Sequence, residues 1–115
     1  MLQLENNEEE LSQIRLEKCL ATLNALSSDN EEEEVKNQGL KVLVNFNYGI
    51  CMEKQMKLYS AKQVYEEILK NNKYHLDSAL RLANVEYQLG NYRKFVEILE
   101  EIDKLCEENR KILKI

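Results

Sequence analysis

The 115-residue sequence has no proline, no tryptophan, three glycines and one histidine. Without proline, and with so little glycine, the turn chemistry of a sheet-rich fold is missing and the composition suits helices. The lone histidine, His75, has no cysteine or second histidine beside it. A metal or catalytic role is therefore not expected of it, and its place at a helix start reads as capping or surface. Cys19, Cys51 and Cys106 are far apart, odd in number and set on apolar helix faces. They read as small buried hydrophobes rather than disulfide partners or a Cys-x-x-Cys metal site. No apolar run approaches the roughly 20 residues that cross a bilayer. The start, MLQLENNEEEL, lacks the basic residues and apolar stretch of a secretory signal, so a cytoplasmic or nuclear location is expected. Glycine-rich phosphate loops, nucleophile elbows and paired-acid motifs are missing too. The expectation is a protein that is not an enzyme, with no catalytic residue, cofactor or metal.

What is present is charge. Charged residues make up 32% of the chain and the net charge is −5. Such an acidic chain is poorly suited to direct contact with nucleic acid or an anionic membrane surface. The glutamates come in runs that suit the positive ends of helix dipoles. Asn7 with Glu10, and Asn30 with Glu33, have the spacing of a capping box. After Asn7, the residues Leu16, Cys19, Leu20, Leu23 and Leu26 form one apolar stripe, which fades at Ser27-Ser28-Asp29. After Asn30 a long segment reaches about Lys54. Its apolar residues, from Val42 through Phe46, Tyr48 and Ile50 to Met52, cover most of its circumference, as in a helix inside a stack. β-branched Val42 and Val44 are compatible with a strand, but length and capping favour a helix.

Three further helices are expected. One runs from Tyr59 or Ser60 to Lys70 and ends at Asn71-Asn72. One runs from Leu76 to Leu89 and stops at Gly90. The last starts after Asn91 and carries Tyr92, Phe95, Val96, Ile98, Leu99, Ile102, Leu105 and Cys106. Short connections make successive helices antiparallel. Neither a linker nor a domain break is visible. The apolar tail Ile112-Leu113-Lys114-Ile115 either prolongs the last helix or opens a further repeat of a longer protein.

Residues Val42–His75 and Leu76–Asn109 overlay without a gap, in a register of 34 residues. Gly49 and Ala83 share the eighth place, and Tyr48 and Leu82 the seventh. Ala61, Tyr65 and Ile68 match Phe95, Leu99 and Ile102 at places 20, 24 and 27. Helix pairs repeating at about this period mark a solenoid, which offers a long surface for other proteins. The expected organisation is one all-α domain, 1–115, of about five helices: antiparallel hairpins stacked as a short α-solenoid. It comprises a flanking helix over 8–27, repeats over 42–75 and 76–109, and a further helix or extension over 110–115.

These residues resemble the tetratricopeptide repeat. The second copy carries Leu82-Ala83, Tyr87, Gly90, Tyr92 and Leu99 at the family's positions, and the first carries Tyr48-Gly49, Met52, Leu58, Ala61 and Tyr65. The chain departs from the pattern at place 4 (Asn45, Ala79), at place 15 of the first copy (Met56 for glycine), at place 20 of the second (bulky Phe95) and at place 32 (Lys73, Glu107 for proline). These departures leave the turn geometry open and permit an overlong fifth helix. Cys19, Leu23 and Leu26 look like places 20, 24 and 27 of a preceding copy, which favours an excerpt from a longer array. The stretch AKQVYEEILKNNKYHLDSALRLANVEYQLGNY, Ala61 to Tyr92, is further similar to repeats of the large tetratricopeptide subunits of the RNA polymerase II-associated elongation complex. The residues that carry this likeness are Ile68-Leu69, Tyr74, Leu80-Arg81-Leu82 and Gly90-Asn91-Tyr92, with Asp77 one place late.

The resemblance implies a scaffold that holds a protein or peptide segment in an inner groove lined by the first helix of each pair. Carried onto this chain, the groove places hold Leu43, Phe46, Asn47, Ile50, Glu53 and Lys54, then Asp77, Leu80, Arg81, Asn84, Tyr87 and Gln88. Arginine and asparagine would bond a peptide backbone or carboxylate, and Phe46 and Tyr87 would anchor it. Alternatively, Leu43, Phe46 and Ile50 are core. A carboxylate clamp like that of chaperone-binding members is not expected: Asn47 and Arg81 match it, but Phe46, Ile50 and Asp77 do not. The alternative function is a self-associating structural module, a homodimer formed through Ile112–Ile115 and the apolar helix faces.

Overall fold

The computed structural model describes residues 2–26 and 30–113, with side chains over 8–26 and 30–111. It is all-α, with five helices and no strand among the described residues. These are α1 (Leu2–Ala25), α2 (Glu31–Lys54), α3 (Leu58–Asn71), α4 (Leu76–Gln88) and α5 (Tyr92–Leu113). Val42 and Val44 are helical, so the strand alternative falls. The chain gathers into two compact units, Met1–Val64 and Tyr65–Ile115, whose boundary lies inside α3 rather than at the repeat boundary after His75.

In the first unit α1 and α2 form an antiparallel hairpin. α1 begins at Leu2, which corrects the expected start at Asn7. The residues Leu2 to Asn6 contain no helix breaker, and a capping signal cannot stop a helix that the preceding sequence already supports. The expected end at Ser27-Ser28-Asp29 lies outside the described residues. Asn30 caps α2: its backbone is extended, and its side-chain oxygen accepts the Glu32 N–H at 2.9 Å. Glu31 to Glu34 fill the first turn, where the helix dipole favours negative charge. α2 is not buried on most of its circumference, as its apolar residues promise. Val35, Leu40 and Leu43 are exposed, and burial is confined to Gly49, Cys51, Met52 and Glu53. No described side chain of α1 is fully buried, and Leu26 lies beyond the helix and is exposed. The α1 stripe is thus a half-covered seam.

α2 ends in a Schellman turn. Lys57 N–H donates to the Met52 carbonyl at 2.8 Å and Met56 N–H to that of Glu53 at 2.9 Å. Met56 takes the left-handed conformation at φ 61°, a position usually held by glycine. α4 ends in the same turn: Asn91 N–H donates to Glu86 at 2.9 Å and Gly90 N–H to Tyr87 at 3.0 Å, with Gly90 at φ 83°. The Met56 departure therefore leaves the turn geometry intact.

In the second unit α4 and α5 form an antiparallel hairpin. Ala79, Leu82, Ala83 and Val85 of α4 and Leu105 of α5 are buried, as are Tyr65 and Ile68 of α3. His75 is the N-cap of α4. Its Nδ1 accepts the Ser78 N–H at 3.3 Å and lies 2.7 Å from the Ser78 hydroxyl, which is fully buried. α3 stops at Asn71, whose amide donates back to the Glu67 carbonyl at 3.2 Å. α5 meets no stop at Glu107 and continues to Leu113 as one helix, so residues 110–113 prolong it.

Candidate partner surface

α4 divides sharply by exposure. Ser78, Ala79, Leu82, Ala83, Val85 and Glu86 are buried, whereas Asp77, Leu80, Arg81, Asn84, Tyr87 and Gln88 are exposed. The exposed set follows helical spacing and makes one continuous face. All the second-copy groove residues therefore stand together on the open side of α4. Two are apolar, with Leu80 51% and Tyr87 53% exposed.

Tyr87 is also the centre of an aromatic corner. Its ring meets Tyr92 edge-on at 5.4 Å and Phe95 at 5.2 Å, across the Gly90 turn. Phe95 at place 20, where a small residue was expected, is half-buried, with its ring beside Tyr87. Such contacts hold an exposed anchor in one orientation, which lowers the entropy lost on binding. Sequence spacing missed this corner because Tyr87 and Tyr92 belong to different helices. The five-residue separation across a glycine turn was the available signal.

The first-copy residues are arranged differently. Leu43 and Asn47 are exposed, and Phe46 and Ile50 half-buried, so Leu43 is not core. The Asn47 amide donates to its own backbone at the Leu43 carbonyl, 2.9 Å away. Asn47 and Ile50 line an open cleft in the α1–α2 hairpin together with Ser12, Arg15 and Leu16 of α1. Glu53, a groove place, is instead buried, and Lys54 pairs with Glu9 of α1 at 3.8 Å. These residues thus face α1 as much as solvent.

Polar contacts also join α1 to α2. The Tyr48 hydroxyl donates to Glu17 at 3.2 Å, and the Gln55 amide donates to Gln13 at 2.9 Å. Burial, then the hydrogen bond to the Glu17 carboxylate and its negative charge, push the Tyr48 hydroxyl above its ordinary pKa. Burial, then the charge of Glu9, push up the Cys51 thiol. The three cysteines are free but not alike. Cys51 is buried, Cys106 half-buried and Cys19 exposed, which corrects the expectation of three buried thiols. Cys19 lies at the rim of the α1–α2 seam, beside Lys18 and Thr22, where the packing is thin.

Among the described residues no three His, Cys, Asp or Glu side chains gather in a way that could hold a metal ion. Among them, too, no helix is long and apolar enough to cross a membrane. Compared with protein-family models, curated proteins and solved structures, the chain matches none.

Proposed function

We propose that the chain is a protein-interaction scaffold of helical hairpins, built on the plan of tetratricopeptide repeats, and that it holds a partner segment on the exposed face of α4. The observation that carries this reading is the return of one Schellman turn at the repeat interval, at Met56 and again at Gly90, each closing the first helix of a repeat. Like turns at one interval are what a scaffold of repeated helix pairs requires of its connections.

The open α4 face supports the choice of surface. It combines an aromatic anchor held by neighbouring rings with Arg81, Asn84 and Gln88, which carry amide and guanidinium groups able to bond a peptide backbone. The likeness of Ala61–Tyr92 to repeats of a transcription-elongation subunit extends the proposal to a component of a larger cytoplasmic or nuclear assembly.

The test is a display library of short peptides panned against the immobilised chain. Selected peptides are expected to lose about tenfold or more in affinity with Tyr87→Ala and with Arg81→Glu, and nothing with Gly39→Ala, which lies in the other unit. Equal affinity for all four proteins would remove α4 as the partner face.

A further inference from the structure

Within the second unit, α3, α4 and α5 enclose a cavity of about 200 Å³ that opens to solvent. Leu69 of α3, Ala79 and Leu82 of α4, and Ile98, Ile102 and Leu105 of α5 line it. All six are apolar. Ala79, Leu82 and Leu105 are buried, whereas Leu69, Ile98 and Ile102 are half-buried and stand nearer the mouth. Ala79 brings only a methyl group to a site otherwise walled by leucine and isoleucine, so the space stays unfilled. Protein interiors hold few voids of this size. Lys73 and Glu101 complete the lining, and both are exposed. Among the described residues no ion pair joins them. The Lys73 ammonium rests over the exposed Tyr74 ring, 5.0 Å from its centre, a weak contact that is readily exchanged.

We propose that this cavity takes one aromatic side chain of a partner protein, inserted from a peptide segment that crosses the mouth between Lys73 and Glu101. Size carries the first part. Sites for whole small molecules usually run from about 300 Å³ upward, so this one suits a single side chain. A dry apolar cavity of about 150 Å³ already accepts benzene. A ring larger than benzene therefore fits here, and an aliphatic side chain would leave part of the wall without contacts.

The rim selects a peptide. The Lys73 ammonium only donates hydrogen bonds, and the Glu101 carboxylate only accepts them. A peptide backbone offers both complements, a carbonyl for the ammonium and an N–H for the carboxylate. A free hydrocarbon would use neither. The cavity lies against the buried side of α4, away from the exposed face that carries Tyr87, so this contact stands apart from that reading.

The chain has no tryptophan, so indole fluorescence reports on an added probe alone. N-acetyltryptophanamide, a tryptophan flanked by two amide groups, is titrated with the whole chain. Its emission is expected to shift to the blue and to saturate at millimolar concentration. Ala79→Met places a side chain in the cavity. It should raise the urea midpoint and abolish binding. Lys73→Ala and Glu101→Ala change only exposed residues. Each should weaken N-acetyltryptophanamide about fivefold, and should weaken indole, which lacks amide groups, by less. Far-UV circular dichroism checks that the three variants remain helical. Absence of a blue shift with the native chain, or an Ala79→Met chain that binds as well as the native one, would overturn the proposal. A lowered urea midpoint for Ala79→Met would do the same, since it would show that no space is free. Equal responses of the two probes to the rim variants would overturn the assignment to a peptide.

Discussion

Met56 and Gly90 occupy the same left-handed position of the same turn, one repeat apart, although only one of them is glycine. An L side chain in this conformation costs about 1–2 kcal/mol, and glycine avoids that cost at the expense of unfolded-chain entropy. Met56 is 68% exposed, so its side chain contributes little packing to offset the strain. Met56→Gly is therefore expected to stabilise the chain by about 0.5–1 kcal/mol. Gly90→Ala is expected to destabilise it by about 1 kcal/mol through the backbone alone, since a Cβ there would meet nothing within 4 Å. Urea unfolding of both variants checks the pair; the same sign of effect in both would refute the equivalence.

Gly39 lies well inside α2, and a Cβ at that position would also meet nothing within 4 Å. Here the conformation is helical, so the side chain carries no strain. Gly39→Ala should raise stability by about 0.5–1 kcal/mol. A decrease in the urea midpoint would show that α2 is not continuous through this residue.

His75 holds the start of α4 by accepting the Ser78 N–H. His75→Ala removes the acceptor and is expected to cost about 1 kcal/mol, and His75→Asn should recover most of that loss. Thermal melts of the three proteins distinguish a cap from a merely space-filling ring, because only a cap is rescued by asparagine.

Tyr48 and Cys51 both hold their protons more tightly in the folded chain than their ordinary values near 10 and 9 imply. On raising the pH, the unfolded chain releases these protons first. Their contribution is complete below the ordinary values and is lost as pH climbs towards the folded ones. The stability advantage of the native protein over Tyr48→Phe should hold from pH 7 to 9 and shrink above about pH 10. A gap that stays constant up to pH 11 would count against the Glu17 contact. In the same hairpin a thiol reagent should modify exposed Cys19 first and buried Cys51 last. A faster Cys51 would mean that the α1–α2 seam opens readily.

Much of this fold was legible because its punctuation is chemical. Asn30 and Gly90 announce their roles by residue type, and the missing proline at Glu107 correctly permits α5 to run on. Met56 carries no such mark, since a left-handed methionine is set by the bonds around it. Asn7 shows the opposite error: a capping signal has no force where helix-forming residues precede it. For the candidate surface, α4 was readable because its buried and exposed residues alternate with helical period. α2 was not. Its apolar residues spread around the helix, and only neighbouring elements decide which are covered. Leu43 lies open while Glu53, a charged residue, is buried. The boundary inside α3 was invisible because no break in composition accompanies it.

The way α1 is fastened has a kinetic side. Its docking combines a half-covered apolar seam with the polar links Glu17–Tyr48, Gln13–Gln55 and Glu9–Lys54, and encloses no side chain of α1 fully. Links of that sort are readily exchanged for water, so they resist transient detachment weakly. Backbone amides of α1 will trade their protons for solvent deuterium sooner than those of α4, and a limited protease will nick this arm before it reaches the rest of the molecule.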